Sequence, residues 1–225
     1  MSGDLNAGQG RCNATSRVLI KPVRAAIELG ALPDVIMTAL HAVHEANRTG
    51  AANDFVAVTF PGMVLSERGM LRALKGMATG DSIELVGSEA ALVRCLNMDR
   101  MKTLQRRGMI IEPDVTEVWM EAGDLCAAYV RERPSEKETT GWINRSRRRA
   151  ERRGKPIGDP ALRSRDKTGV VVLRYGDAVV KVREVVGELV DRPLTVSTYG
   201  FSTAGNPAIM PVQPVSVRQL LLDAA

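Results

Sequence analysis

Cysteine, histidine and aromatic residues are scarce in this chain of 225 residues. Its three cysteines, Cys12, Cys95 and Cys126, lie far apart and form no Cys-x-x-Cys pair, which argues against a disulfide framework and a thiolate zinc site. No apolar run approaches the roughly 18 residues of a membrane span. Residues 1–10 are polar and lack the apolar core of a signal peptide. These absences predict a globular protein of a reducing, cytoplasmic compartment.

Net charge is small and is confined to one segment. The chain has 31 Lys and Arg against 26 Asp and Glu, a net charge of +5. The whole surplus lies in residues 141–153, which hold six arginines and one acid, Glu151, whereas basic and acidic residues balance in the rest of the chain. The composition, 44% hydrophobic and 25% charged, is that of a folded chain able to bury a sizeable core.

Short β-rich runs alternate with amphipathic helical stretches in the first half of the chain. The predicted order is β-α-β-β-α-β, with elements at residues 16–23, 32–48, 55–60, 81–86, 90–98 and 115–120. Ser88 is expected to cap the second helix, with Glu89 in its first turn. Because this is the order of a ferredoxin-like domain, the predicted fold class is α+β, with residues 1–124 forming that domain.

The second half of the chain, residues 125–225, is predicted to form a smaller α+β domain. It contains an arginine-rich helix at residues 142–153, closed by Gly154 and Pro156. Residues 127–133 are a candidate strand, and valine-rich runs predict strands at residues 170–174, 178–186 and 194–199. Gly176-Asp177 is expected to turn residues 170–186 into a hairpin.

The arginine-rich helix has one basic face. Its arc of about 140° holds Arg145, Arg148, Arg149, Arg152 and Arg153. Like-charged pairs four residues apart each destabilise an isolated helix by a few tenths of a kcal/mol, and only Glu151 offsets them. A solvated surface is one interpretation, but the pattern favours nucleic acid or another polyanion. With eight aromatics and no aromatic RNA-recognition signature, duplex phosphates are a better target than single-stranded bases.

Two further positions are candidates for chemistry. His44 lies at the edge of the apolar stripe of helix 32–48, about 110° from its centre, whereas His41 is expected to face water. An imidazole suits proton transfer at cellular pH, although a border residue without a role is the alternative and a metal pair lacks a third ligand. Tyr199 ends a strand that runs into a Gly/Ser turn, where a half-buried turn tyrosine is the alternative interpretation.

Taken in order, these features resemble the CRISPR repeat endoribonuclease of type I-F systems, which cuts precursor CRISPR RNA at the base of each repeat hairpin. The similarity covers most of the chain and rests on the ordered set rather than on one motif. The set comprises the helix with His44 followed by Val58-Thr59-Phe60-Pro61, then Ile83-Glu84-Leu85, Tyr129-Val130-Arg131-Glu132-Arg133 before the arginine-rich helix, Leu173-Arg174, and Tyr199-Gly200-Phe201-Ser202.

The resemblance implies roles for individual residues. His44, sixteen residues before Phe60, matches the catalytic histidine, and Tyr199 would position His44 or the ribose. Tyr175 stands where the family has a serine that helps to hold the reacting ribose, and it is the third catalytic candidate. Arg131 and Arg133 match the base-reading pair; Arg133 replaces a glutamine, which favours guanine over adenine. The other implied RNA-binding residues are Arg145, Arg147, Arg148, Arg149, Arg152, Arg153 and Ser202.

The implied reaction requires no metal and no cofactor. The ribose 2′-OH upstream of the scissile phosphate attacks phosphorus, leaving a 2′,3′-cyclic phosphate and a 5′-OH, with His44 as base or acid. Implied partners are the repeat hairpin, the mature crRNA, and the backbone and large subunits of the type I-F surveillance complex; no membrane is involved. Two alternatives remain: a slow or non-cleaving crRNA-binding subunit of a surveillance or transposon-associated complex, which Tyr175 would allow, and a DNA-binding regulator.

Overall fold

An antiparallel sheet of four strands lies at the centre of the first half of the chain. The computed structural model describes residues 5, 7–61, 82–118, 126–131, 140–154, 170–175, 178–189, 194–203 and 205–212. The strands of this sheet are β2 (Ser16–Ile20), β3 (Ala57–Thr59), β4 (Ile83–Gly87) and β5 (Val115–Glu117). Their order is β3-β4-β2-β5, and each neighbouring pair is antiparallel. β2 is shorter than the predicted residues 16–23, since Pro22 has no N–H to continue a ladder.

Helices cover one face of this sheet. The helices α2 (Leu32–Thr49), α3 (Glu89–Leu96) and α4 (Asp99–Arg106) pack in one core with the sheet, and a short helix, α1 (Arg24–Glu28), follows β2. α2 and α3 confirm the two predicted helices to within two residues, and the Ser88 hydroxyl caps α3 by accepting the N–H of Ala91 at 3.1 Å. α2 packs against both α3 and α4. Helix α4 was not predicted from the sequence, because it buries only Met101 and Leu104 and its other residues are polar or charged.

The opposite face of the sheet is covered by a two-stranded ribbon. This ribbon pairs β1 (Gln9–Cys12) with β9 (Leu194–Ser197), strands from the two ends of the chain. Side chains therefore alternate between two cores: Val58 and Leu85 face the helices, whereas Ala57 and Val86 pack with the ribbon. β9 ends two residues before the predicted residue 199 because the chain turns there.

A second antiparallel sheet holds the remaining strands in the order β10-β6-β8-β7. They are β6 (Cys126–Arg131), β7 (Val170–Tyr175), β8 (Ala178–Val186) and β10 (Met210–Pro211). The antiparallel pairing of β7 with β8 confirms the predicted hairpin. Helix α5 (Thr140–Arg152) confirms the arginine-rich helix and begins two residues earlier than predicted.

The two halves of the chain share one hydrophobic core. Tyr129 of β6 is fully buried, and its hydroxyl donates to Glu184 at 2.8 Å and lies 3.1 Å from the Phe60 carbonyl oxygen. Phe201 packs in the same cluster as the side chains of α2. The protein is thus a mixed α/β fold built on antiparallel sheets. The predicted boundary near residue 124 falls outside the described residues.

Candidate active site and arginine helix

Helix α2 holds His44 at the edge of its buried side. Its inward side chains include Val35, Ile36, Ala39, Leu40 and Val43. His44 is partly buried, at the border that the helical geometry predicts. His41 was expected to face water, but it is also partly buried, because the segment that follows β9 packs over this end of the helix.

Asn47 ties α2 to that segment. Its side chain is 1% exposed and makes hydrogen bonds on both sides. The amide oxygen accepts the N–H of Val56 at 2.7 Å, and the amide nitrogen donates to the carbonyls of Val56 at 2.9 Å and Thr198 at 3.1 Å. The backbone of Thr198 is therefore fixed against the helix turn that carries His44.

Gly200 allows the turn after β9 to press against β3. Its φ of +77° is in the left-handed region, and its carbonyl accepts the N–H of Val58 at 3.1 Å. A Cβ atom at this position would lie 2.9 Å from Val58 Cγ1 and 3.0 Å from the Val56 carbonyl oxygen. The next residue, Phe201, is buried in the core. The turn is anchored on both sides of Tyr199, and this restricts where the tyrosine ring can lie.

His44 contacts this turn through both its ring edge and its ring face. Its Nδ1 lies 3.0 Å from Thr198 Oγ1, within hydrogen-bonding distance. Its ring stacks on Tyr199, with centroids 4.0 Å apart and planes 15° from parallel. The His41 ring lies 6.4 Å from the same tyrosine. The Arg131 guanidinium carbon lies over the Tyr199 ring, 5.9 Å from its centroid.

The surroundings of His44 favour the neutral imidazole. Partial burial lowers the pKa of His44, and the positive charges of Arg48 and His41 lower it further. Burial also lowers the pKa of His41, with a contribution from the Arg100 charge. At neutral pH, His44 is therefore held in the form that can accept a proton.

The structure brings together three of the residues that the sequence analysis singled out. His44 and Arg131 both contact Tyr199, although the three residues are far apart in the chain. Tyr175 ends β7, a strand that lies next to α2, and its backbone pairs with Ala178. Arg133 lies outside the described residues.

Ser202 does not have the environment expected for an RNA contact. Its side chain is 6% exposed, and its hydroxyl oxygen accepts the N–H of Ala208 at 3.2 Å. Its own N–H donates to the Tyr129 carbonyl at 2.8 Å. These contacts give Ser202 a structural role in joining the turn after β9 to β6.

Helix α5 presents its arginines to solvent. The exposed set is Arg145, Arg147, Arg148, Arg149, Arg152 and Arg153. Arg152 donates to the Arg148 carbonyl at 3.3 Å within the helix. No ion pair links an α5 arginine to a carboxylate of the described residues. Within the described residues, ion pairs therefore do not offset the like-charge repulsion, as expected of a surface that binds a polyanion.

Three residues of this site were not predicted from the sequence: Asn47, Thr198 and Arg48. Asn47 and Arg48 are three and four residues beyond His44, a spacing that places them on neighbouring parts of the helix surface. The sequence did contain a signal for Asn47, because it is a polar residue at a position that continues the apolar stripe of the helix. Thr198 had no such signal, because its contact with His44 spans 154 positions in the sequence.

We expect replacement of Asn47 by alanine to lower the free energy of unfolding by about 2–4 kcal/mol. The change removes three hydrogen bonds and leaves the buried N–H of Val56 without its acceptor. Asn97→Ala is the matched control, because Asn97 is exposed and its amide makes one hydrogen bond, to the Val93 carbonyl; its cost should stay below about 0.5 kcal/mol. Urea unfolding measures both, and equal losses would contradict the assigned role of Asn47.

Comparison of the chain with models of known protein families gave no match, and a search of curated proteins gave none either. Within the described ranges, no group of three or more His, Cys, Asp or Glu is placed to hold a metal ion. No helix in those ranges has both the length and the apolar character needed to cross a membrane.

Proposed function

We propose that this protein is a metal-independent endoribonuclease that cuts a CRISPR repeat hairpin at the 3′ base of its stem and retains the product crRNA. His44 is the proposed catalytic residue, Tyr199 holds it, and Arg131 reads the base of the stem. Helix α5 binds the phosphates of the stem. Arg133 is proposed as a second base-reading residue, and Tyr175 is proposed to hold the ribose.

The observation that carries this proposal is the convergence of His44, Tyr199 and Arg131. The resemblance assigned these residues to one reaction on the basis of sequence order alone. In the fold, the histidine stacks on the tyrosine at 4.0 Å and the arginine lies over the same ring at 5.9 Å. A tyrosine that only stabilises a turn does not require a partly buried histidine stacked on its ring or an arginine over the same ring.

The site can supply a general base. When Nδ1 carries the proton and donates to Thr198 Oγ1, the lone pair of His44 lies on Nε2 and can accept the proton of a ribose 2′-OH. Tyr199 and Asn47 restrain the ring and its hydrogen-bond partner, so little reorganisation is needed when substrate binds. The neutral form favoured by Arg48 and His41 is the form that a base requires.

The strand order supports a further part of the proposal, namely that residues 1–124 form a ferredoxin-like domain. The strands β2, β3, β4 and β5 follow the order β-α-β-β-α-β with helices α2 and α3, and the sheet order β3-β4-β2-β5 is that of such a fold. Strand β1 and helices α1 and α4 are additions to it. We propose residues 125–225 as the RNA-binding domain.

We also propose that the protein works in the cytoplasm as a subunit of a type I-F surveillance complex. Its partners are the precursor and mature crRNA and the backbone and large subunits of that complex. The three cysteines are free and buried, as suits a reducing compartment. Burial raises the pKa values of Cys12 and Cys95 to about 12, so these thiols are unreactive.

The pH dependence of cleavage should identify the role of His44. If His44 is the base, the single-turnover rate should rise with pH through the lowered pKa of this residue and stay level above it. The positive charge of Arg48 contributes to that lowering, so Arg48→Gln should move the midpoint to higher pH. A rate that falls as pH rises through this range would instead assign His44 as the acid.

A library of hairpins tests the proposed activity over many repeat sequences at once. Synthetic RNA hairpins with randomised stems and single-stranded flanks are incubated with the protein in EDTA, and the cut sites are sequenced. We expect one cut per molecule at the 3′ base of a defined stem. Cleavage only with divalent metal, or scattered cuts in the flanks, would overturn the proposed function.

A further inference from the structure

A cavity of about 470 Å³ opens beside His44, at the C-terminal end of α2. Its lining includes His44, Arg48, Thr198, Gln9 and Phe55. The volume lies in the range of about 300–1,000 Å³ that is typical of small-ligand sites. Neither Tyr199 nor Arg131 is among the residues that line it.

Arg48 makes this cavity positive. It is the only charged side chain in the lining, and no carboxylate of the described residues forms an ion pair with it. It follows His44 by one helical turn, which places their side chains next to each other on α2. Its positive charge contributes to the lowered pKa of the His44 imidazole. An exposed arginine beside a catalytic histidine is suited to binding a phosphate.

Hydrogen bonds hold the segments that form the walls of the cavity in place. Arg94 donates to the Asp54 carboxylate at 3.0 Å and to the Asp54 carbonyl at 2.6 Å, which holds residues 50–55 in place. The N–H of Arg11 donates to the Ala52 carbonyl at 2.7 Å. The N–H of Thr198 donates to the Gly8 carbonyl at 3.1 Å. Asp54, which directly precedes the lining residue Phe55, is thus paired with Arg94 and does not line the cavity.

The arrangement suggests the path of the RNA strand. On the proposed function, the stem lies towards Arg131 and Tyr199, and the scissile phosphate lies at His44. The strand leaving the stem must then continue past His44, and the cavity with Arg48 is a positively charged space beside the histidine that neither Tyr199 nor Arg131 lines. The separation of Arg48 from His44 by one helical turn suits the next phosphate along the strand.

We propose that the cavity holds the first nucleotide downstream of the cut, with Arg48 bound to the phosphate on the 3′ side of that nucleotide. This inference rests on the proposed function and extends it from the hairpin to the leaving strand. It makes the protein bind substrate on both sides of the scissile bond. It also gives Arg48 a role separate from the arginines of α5, because Arg48 binds single-stranded RNA that departs after cleavage.

The test uses the hairpin that is cut fastest in the library experiment, with a 2′-deoxy nucleotide at the attacking position so that it cannot be cleaved. One RNA ends in a phosphate at the scissile position. A second carries one further nucleotide ending in a 3′-OH, and a third carries that nucleotide with a 3′-phosphate. Affinities are measured by fluorescence anisotropy at several salt concentrations for the wild type, Arg48→Gln and Arg107→Gln. Arg107 is exposed and lies outside the cavity lining, so it is the matched control.

We expect the third RNA to bind the wild type about two- to fivefold more tightly than the first, the range of one exposed charge pair. Its salt slope should be steeper by about 0.7, the value for one single-strand phosphate. Arg48→Gln should abolish both differences, and Arg107→Gln should retain them. Equal affinities of the wild type for all three RNAs, or an equal loss on all three in Arg48→Gln, would overturn the inference. If the inference fails but the wild type still cuts the hairpin, the proposed function stands. If the wild type binds no hairpin, both the inference and the proposed function are overturned.

Discussion

Replacing His44 with alanine should slow hairpin cleavage by about 10²–10⁴-fold, the contribution of a positioned general base. The affinity for the hairpin should change by less than about twofold, because on the proposed function the α5 arginines supply most of the binding energy. The stack on Tyr199 and the contact with Thr198 show that the histidine is held in place by the turn after β9. Single-turnover cleavage and anisotropy on the same RNA measure the two effects separately.

His41→Ala is the matched control for this substitution. His41 lies on the same helix and is also partly buried, but its ring is 6.4 Å from Tyr199 and tilted by 58°. Its loss should change the cleavage rate by less than about tenfold. Equal losses in the two variants would contradict the assignment of His44. Unchanged cleavage in His44→Ala would also contradict it, and tight binding without cleavage by the wild type would favour the crRNA-binding subunit as the alternative function.

Neutralising three arginines of α5 should weaken hairpin binding by about 30- to 150-fold. The variant carries Arg145→Gln, Arg149→Gln and Arg152→Gln, which lie on one face of the helix. The loss follows if each exposed arginine–phosphate contact contributes about 0.7–1 kcal/mol. The salt dependence should become shallower by about 2 to 3 units of slope, at about 0.9 for each duplex phosphate contact.

A second triple variant separates the position of the charges from their number. Arg24→Gln, Arg106→Gln and Arg107→Gln remove the same charge from exposed sites outside α5. We expect this variant to bind within about threefold of the wild type and to keep the salt slope. If both variants lose affinity equally, binding follows net charge alone, and α5 is not the RNA-binding surface. A preference of the wild type for duplex DNA over the hairpin would favour the DNA-binding regulator.

Local sequence signals were sufficient for the elements that bury a periodic apolar face. α2 and α3 were predictable because their buried side chains recur every three or four residues and because Pro33 and Ser88 begin them favourably. The β7–β8 hairpin was predictable because two valine-rich runs flank a Gly-Asp pair. In contrast, β1 exists through its pairing with β9 at the other end of the chain, and no local pattern marks it.

The same distinction applies to the candidate site. Helical geometry placed His44 at the border of the core, and the exposed face of α5 followed from arginine spacing alone. The stack of His44 on Tyr199 depends on Gly200 and Asn47, which bring the turn after β9 against α2. Such long-range contacts cannot be deduced from periodicity. Arg48 was missed because a single arginine near a helix end is common, and only the cavity beside it gives it a specific environment.

The masses of the products test the central claim most directly, namely that the substrate's own 2′-OH does the cutting at a His44-centred site. The fastest-cut hairpin is incubated with the protein in EDTA, and both fragments are weighed by mass spectrometry. We predict an upstream fragment ending in a 2′,3′-cyclic phosphate and a downstream fragment beginning with a 5′-OH. A 2′-deoxy nucleotide just upstream of the cut should abolish the reaction. A downstream fragment with a 5′-phosphate, or cleavage of the 2′-deoxy RNA, would contradict the mechanism.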